Sequence, residues 1–369
     1  MHLKHLSLIN FKNVTDASID LNPSVNCFLG NNGEGKTNIL DAIYYLSNTK
    51  SYFNSIDSQN IKFGEPFFVA QGDFKNKEEE YHVYCGVKKG AKKQFKLNKK
   101  NYTKLADHIG RFPVVIITPY DSNLILEGSE TRRKFLDRLI SQFDKNYLDN
   151  LMHYNKLLNH RNATLKQMAE TQSFNEEFLG VIDYQLAEKG EKIYQTRKAF
   201  LEEFIPVFNR YYQAISNSNE TVSLTYQSVL NQHRLEQLLL ENRSKDRALT
   251  YTSKGIHKDD LEFKIMDSYS LKKFASQGQQ KSFLIALKLA QFDYIKQKKG
   301  VAPILLLDDI FDKLDENRVN YILQLIVHHK LGQTFITDTN FEKSPQILEQ
   351  LGVDFSAFRV EKGNVYPLG

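Results

Sequence analysis

Residues 25–47, VNCFLGNNGEGKTNILDAIYYLS, constrain this chain more tightly than any other stretch. VNCFLG is a continuous apolar run of the kind that forms a strand buried on both faces. TNILDAIYYLS then places Ile39, Leu40, Ile43 and Leu46 at helical spacing. Between them GNNGEGKT, residues 30–37, satisfies G-x-x-x-x-G-K-[ST] in the strand, loop and helix setting that the pattern needs. Gly30, Gly33 and Gly35 let the backbone curl, so that N–H groups from Gly30 through Asn31, Asn32, Glu34 and on to Asn38 converge on phosphate oxygens at a helix N-terminus. Lys36 is expected to neutralise the outer phosphates and Thr37 to ligate Mg²⁺.

A second strand carries the acids such a site requires. ILLL at 304–307 runs directly into Asp308 and Asp309, which places two carboxylates at the C-terminal edge of a sheet, beside the phosphate loop. Asp308 suits Mg²⁺ coordination, and Asp309 is placed to orient or deprotonate an attacking water. Lys36, Asp308 and Asp309 are therefore the expected catalytic set, with Thr37 and Asp308 on the metal.

The rest of the chain builds around this site. LKHLSLINF (3–11) reads as a strand, residues 61–105 as short antiparallel strands with polar turns, and PVVIITP (113–119) as another buried strand. From about Glu130 to about Tyr212 apolar residues recur three and four apart, enough for two helices of roughly 40 residues, about 60 Å each. VSLTYQS returns to strand, and a helix follows from about Asn231 to Asn242. After SQGQQ come a helix, the acidic strand, a helix over 316–330 and the strand QTFITD (333–338). Alternation at both ends around a helical insertion predicts an α/β fold: a mixed central sheet with an antiparallel β layer, and an inserted helical arm. The expected boundaries are a first lobe over 1–128, the arm over 129–250 and a second lobe over 251–369. Cys27 and Cys85 are the only cysteines, outside any metal-ligand spacing, and no run of 18 or more apolar residues occurs. A disulfide framework, a structural zinc site and a membrane span are thus not expected, and a reducing cytoplasm is.

The turn SQGQQ (276–280) precedes a strongly apolar helical run and lies between the phosphate loop and the acidic strand, closer to the latter. ATP-binding cassette enzymes carry a polar signature turn at that place. There Ser276, Gly278 and Gln279 would meet the ATP of a second subunit, so that two copies sandwich the nucleotide. Ser276 also suits a plain helix N-cap. DKLDENR (312–318) fits the interface loop of such ATPases, and Asp315 equally suits a cap for the helix from Glu316.

Together LINFKN (8–13), GNNGEGKTNILDAI (30–43), GSETRRKFLD (128–137), HRNATLK (160–166), GIHKDDLEF (255–263), SQGQQKSFLIALKLA (276–290) and LLLDDIFDKLD (305–315) resemble the RecF family of bacterial recombination ATPases, relatives of SMC proteins. The resemblance spans essentially the whole chain. It implies an ABC/SMC-type ATPase head with a short arm, a homodimer closed by Mg-ATP on DNA and slow hydrolysis. It also implies Lys12 as a nucleotide contact, repair of single-strand gaps with RecR and RecO helping to load RecA, and roles in replication, the SOS response and the nucleoid. Where relatives commonly have Pro and Arg, this chain has Ile256 and Lys258, so a bidentate role there becomes a point charge. Transporter-type ATPases usually carry a Glu at the position of Asp309 and a switch His after the next strand, and FITDTN has no His. Turnover is expected below about 1 per second. TPYDSN (118–123) lies where a glutamine-bearing lining loop is expected, with Asp121 or Asn123 as the substitute.

A formal charge of +5 permits nucleic acid without demanding it. KKGAKKQFKLNKKNYTK (88–104) is rich in lysine and free of acids. Lys88, Lys89, Lys92, Lys93, Lys96, Lys99 and Lys100 are candidate phosphate contacts, with Arg132, Arg133 and Lys134. Lysines also discourage pairing at a hairpin edge. No base-reading motif is visible, so DNA structure rather than sequence is the expected target: duplex, gapped or single-stranded. The rival functions are a transporter ATPase subunit, an SMC head with long coiled coils, and a nucleotide-gated clamp in which hydrolysis is incidental.

Overall fold

The structure, a computed structural model, describes residues 1–216, 220–266, 268–309, 319, 321–325 and 331–368. Met1–Asp121 with Leu287–Gly369 make one compact unit and Ser122–Ala286 a second.

In the first unit, β3 (Val25–Leu29), β8 (Val114–Ile117), β12 (Ile304–Leu307), β13 (Thr334–Asp338) and β14 (Phe355–Glu361) are parallel, in the order β14-β3-β13-β12-β8. β15 (Asn364–Leu368) closes the β14 edge antiparallel. Every residue of β3, β8, β12 and β13 is buried, which is why VNCFL, VVII and ILLL read as runs and not as alternations. The second sheet is antiparallel, in the order β2 (Asp16–Asp20), β1 (His2–Ile9), β4 (Phe67–Asn76), β5 (Glu79–Lys88), β6 (Gln94–Leu97) and β7 (Lys100–Asn101). Its strands alternate, one face on the core and the other open. β6 and β7 are joined by Asn98 and Lys99 alone, both at positive φ (49° and 68°), the pairing a type I′ turn requires.

Helix α1 (Lys36–Asn48) is buried from Ile39 to Ser47 and shares one core with residues of both sheets, as a helix apolar on nearly every side must. Gln333 ties the sheets together. Its amide accepts from the Leu3 N–H and donates to the Leu3 carbonyl, each at 2.7 Å, so that one buried side chain mimics a strand partner.

The second unit contains α2 (Asn123–Leu126), α3 (Ser129–Ser141), α4 (Lys145–Thr171), α5 (Glu176–Ser216), α6 (Leu235–Glu241), α7 (Arg243–Leu249), α8 (Leu271–Phe274) and the start of α9 (Gln277–Lys299). Its sheet is β9 (Val222–Gln227), β10 (Asp260–Ile265) and β11 (Tyr269–Ser270). The long helices are unequal: α4 has 27 residues and α5 has 41, about 40 and 60 Å at 1.5 Å per residue. The expected first helix is divided because Asp144 turns out of α3 and caps α4 through the Tyr147 N–H at 2.9 Å. The unit also runs past 250 to Ala286, since β9 pairs with β10 along its length.

Two fully buried arginines organise this second unit. Arg161 contacts Asp183 and Asp246, both at 2.6 Å, and Thr252 at 2.9 Å. Arg197 contacts Asp137 at 2.8 Å, the Tyr147 hydroxyl at 2.9 Å and Asp259 at 3.4 Å. Buried charges of this kind persist only when paired. The segments HRNATLK and GIHKDDLEF therefore supply internal ion pairs of the arm. His257 lies half-buried beside them, between the Tyr154 hydroxyl (2.8 Å) and the Thr252 carbonyl (3.0 Å), and desolvation holds its pKa down at about 4. In the first unit α10 (Lys343–Gln350) lies between β13 and β14 in the chain. Among the described residues no helix is long and apolar enough to cross a membrane.

Candidate functional site

Strand order builds the site. β13 lies between β3, which leads into the phosphate loop, and β12, which leads into the acids. Their C-terminal ends adjoin, with Asp338 opposite Leu29 and Leu307 opposite Ile336. Gly30 follows β3 directly, and a Cβ there would lie 2.3 Å from the Val360 carbonyl oxygen, so only glycine passes. Gly35 has φ +111°, and a Cβ would meet the Asn13 amide at 2.5 Å.

Asn13 is the brace. Its amide donates to the Glu34 carbonyl at 3.0 Å and accepts from the Asn38 amide at 2.7 Å. The β14–β15 turn holds the same residue from the other side: the Gly363 N–H donates to the Glu34 carbonyl at 2.9 Å, and the Lys362 N–H to its carboxylate. Lys36 is buried, with its ammonium 2.7 Å from the Gly30 carbonyl and 3.0 Å from that of Asn31. The loop is thus wound around its own lysine, while Asn31, Asn32 and Gly33 stay open to solvent.

The acids close onto this loop through two hydroxyls. Thr37 donates to Asp308 Oδ1 at 2.8 Å, and Thr337, at the end of β13, donates to the same oxygen at 2.9 Å. The Thr337 oxygen in turn accepts the Asp309 N–H at 2.9 Å. Asp309 has φ 45°, in the left-handed region that a non-glycine residue seldom occupies. Burial pushes the Asp308 carboxyl up to about 6, and the neighbouring Asp309 charge adds to the rise; the two threonine hydroxyls and Lys36 oppose it.

This donor set fits Mg-ATP. Among the described residues no cluster of three or more His, Cys, Asp or Glu could hold an ion. One carboxylate and one hydroxyl are what Mg²⁺ takes when phosphate oxygens and waters fill its remaining positions. Because Thr37 gives its proton to Asp308, its lone pairs are left for a metal.

Several expected residues are placed otherwise. Lys12 pairs with the fully buried carboxylate of Asp41 at 2.6 Å and lies 5.2 Å from the Phe53 ring centre, on the flank of α1. Asp121 is no lining residue. Its carboxylate is buried against Lys288 at 2.7 Å, the Tyr52 hydroxyl at 2.7 Å and the Thr118 N–H at 2.7 Å. Asn123 falls in the second unit, in α2. The interface segment 312–318, with Asp315 and the expected helix start at Glu316, lies outside the described residues.

The turn before α9 forms a capping box: Ser276 Oγ accepts the Gln279 N–H at 3.2 Å, and Gln279 Oε1 accepts the Ser276 N–H at 2.6 Å. Gln279 also donates to Glu220 at 2.8 Å. Ser276 is exposed, Gly278 is half-buried, and the run from Ser282 onward is buried. The cap is thus realised, and its serine is still presented outward.

The cations divide into two groups. Lys88, Lys89, Lys92, Lys99 and Lys100 are exposed, and Lys96 lies half-buried 5.1 Å from the Tyr84 ring centre. Lys93 leaves the candidate phosphate contacts: it pairs with Asp57 at 2.8 Å and donates to the Thr49 carbonyl at 2.7 Å. Arg132 leaves them too, held bidentate by Asp260 at 2.7 and 2.9 Å with carbonyls of Leu124 and Glu127 on its third nitrogen. Arg133 turns to Ser129 at 2.7 Å and the Asp259 carbonyl at 2.5 Å. Lys134 pairs with Glu130 one helical turn away, and Lys258 is exposed 5.4 Å from the Tyr251 ring centre.

Sequence reasoning missed Asn13, Thr337 and the 362–363 turn as parts of the site. The available signals were slight: an Asn four residues after β1, and a Thr next to the last residue of β13.

Comparison with known proteins gives the family. A family described as the RecF/RecN/SMC N terminal domain matches residues 2–358. The DNA replication and repair protein RecF of Flavobacterium johnsoniae is 52% identical over 98% of this chain and 100% of its own. The protein of the same name from Bacteroides fragilis is 47% identical over 99% and 98%. A solved structure described as the recombination mediator protein RecF-ATP in the RecFOR pathway superposes with TM-score 0.90 at 32% identity, covering 100% of this chain and 98% of that one. An Smc head domain from Pyrococcus furiosus shares the fold alone, at TM-score 0.57 and 17% identity. The chain belongs to the RecF family of DNA replication and repair proteins.

Proposed function

We propose that this chain is a slow Mg²⁺-dependent ATPase of recombinational repair, whose ATP-closed homodimer holds DNA at single-strand gaps or junctions and releases it on hydrolysis. One observation carries the reading: the hydrogen-bonded path Thr37–Asp308–Thr337–Asp309, which joins the phosphate loop to both acids. In it Lys36 neutralises phosphate charge, Thr37 and Asp308 hold the metal, and Asp309 orients and deprotonates the water. Bound Mg²⁺ supplies charge neutralisation at the phosphates.

The exposed Ser276 supports a role for the turn at 276–279 in a second copy's nucleotide site. The exposed lysines at 88, 89, 92, 99 and 100 support DNA phosphate contacts. The names of the relatives support replication and repair. RecR and RecO as partners, RecA loading, SOS induction and a place in the cytoplasm at the nucleoid extend the same reading.

Light scattering with and without Mg-ATP tests it on wild type, Lys36→Met and Ser276→Arg. Wild type is expected to dimerise with nucleotide. Lys36→Met is expected to fail at nucleotide binding, and Ser276→Arg to bind nucleotide yet stay monomeric. If wild type binds ATP but no dimer forms with gapped DNA or at high protein concentration, the proposal fails.

A further inference from the structure

ATP chemistry does not account for the open face of the antiparallel sheet. Phe68 and Ala70 of β4, Val83, Cys85 and Val87 of β5 and Phe95 of β6 face the core. Phe67 and Val69, Tyr84, Gly86 and Lys88, and Gln94 and Lys96 therefore face away. Register sets Phe67 opposite Lys88, Val69 opposite Gly86, and Tyr84 opposite Lys96.

Tyr84 does not stand off this face. A Cβ on Gly86 would meet its hydroxyl oxygen at 2.7 Å and its ring carbons at 3.2 Å, so the ring leans along the strand across the glycine. Lys96 lies 5.1 Å from its centre. At the rim, Phe63 is wholly exposed at the tip of a turn closed by the Glu65 N–H on the Lys62 carbonyl at 3.0 Å, with Gly64 at φ +86°. The Lys89 N–H donates to the Pro66 carbonyl at 3.0 Å, which joins this turn to the segment carrying Lys88, Lys89 and Lys92.

Rings at the open face and rim of a sheet, beside exposed lysines, match the chemistry of a strand with unpaired bases: each base has a face to stack, and each phosphate a charge. A duplex hides its base faces and would use the lysines alone. The geometry points to a base-stacking platform on which Tyr84 and Phe67, with Phe63 at the rim, take unpaired bases of single-stranded DNA while Lys88, Lys89 and Lys96 take its phosphates. This rests on the reading that the protein holds gapped DNA, and it names the part of the gap the sheet grips.

The test is fluorescence anisotropy of the full chain with Mg-ATP, using four labelled probes: a single strand, an abasic strand of equal length, a blunt duplex and a gapped duplex. Phe67→Ala/Tyr84→Ala is expected to weaken single-strand and gap binding about tenfold or more. Duplex binding should stay within about twofold, and the abasic strand should bind wild type as weakly as the ordinary strand binds the variant. Tyr84→Phe, which keeps the ring, should bind as wild type. The inference is overturned if the double variant binds the single strand as wild type does, as it would were this face a protein-docking surface. It is equally overturned if single strand and duplex are weakened alike, or if abasic and ordinary strands bind wild type equally. Lys88→Glu/Lys89→Glu separates the two readings. Undiminished duplex binding by that variant removes the lysines from the DNA site, while the platform is still judged by the ring variants on the single strand.

Discussion

Burial makes the charged form of Asp308 costly in the folded protein. Its native pKa of about 6 lies above the ordinary aspartate value of 3.8, so between those values the native state binds a proton that the unfolded chain has released. Stability from this group is therefore lost as pH rises from about 4 to about 6, and stays lost above that. Asp308→Asn keeps the acceptor for Thr37 and Thr337 and removes the desolvated charge. The nucleotide-free variant is expected to be more stable than wild type at pH 7.5 by about 3 kcal/mol. The difference should shrink as pH falls toward 4, and Mg-ATP should no longer raise the melting temperature of the variant. Thermal denaturation across pH checks this, and a variant that melts below wild type at pH 7.5 contradicts it. The meeting of Lys36, Thr37 and Asp308 was legible because the phosphate-loop pattern and the apolar run before the acids are short local spacings. Thr337 was not, because its contact to Asp308 arises only when β13 inserts between β3 and β12. Arg132 was misread for a related reason: Asp260, its partner, lies in β10, far along the chain.

Periodicity announced the helical arm but not what fastens its elements. Arg161 on α4 reaches Asp183 on α5 and Asp246 on α7, and no local pattern in α4 marks it as a buried residue. Arg161→Met keeps much of the volume and leaves Asp246 buried without its cation; Asp183 retains Arg243 at 3.0 Å. The expected loss is about 3–5 kcal/mol. Adding Asp246→Asn should recover part of it, since the second change removes the uncompensated charge. Urea denaturation of the two single variants and the double variant measures the coupling. A loss below about 1 kcal/mol for Arg161→Met would mean the pair is an ornament of packing. Turn chemistry was legible only as a polar interruption; the positive φ of Asn98 and Lys99 needed the register of β6 on β7 to show itself. The extent of the second unit was misjudged because pairing of β9 with β10 skips over α6 and α7.

At the scale of the whole molecule, a nucleotide-gated clamp and a hydrolysis-driven machine would use the same phosphate loop, the same acids and the same turn at 276–279. They differ in whether turnover is needed to let DNA go. Asp309→Asn separates them, because the Asp309 N–H to Thr337 is a backbone contact and survives the substitution. Nucleotide binding and dimer formation should hold within about twofold, while hydrolysis falls about a hundredfold or more on loss of the general base. If hydrolysis releases the protein, the residence time of the Mg-ATP form on gapped DNA should lengthen in proportion to that loss. Surface-bound gapped DNA, with dissociation followed under excess competitor, reads this directly. A variant that cannot hydrolyse ATP yet leaves DNA at the wild-type rate would show that exchange of nucleotide opens the dimer, and would remove turnover from the release step.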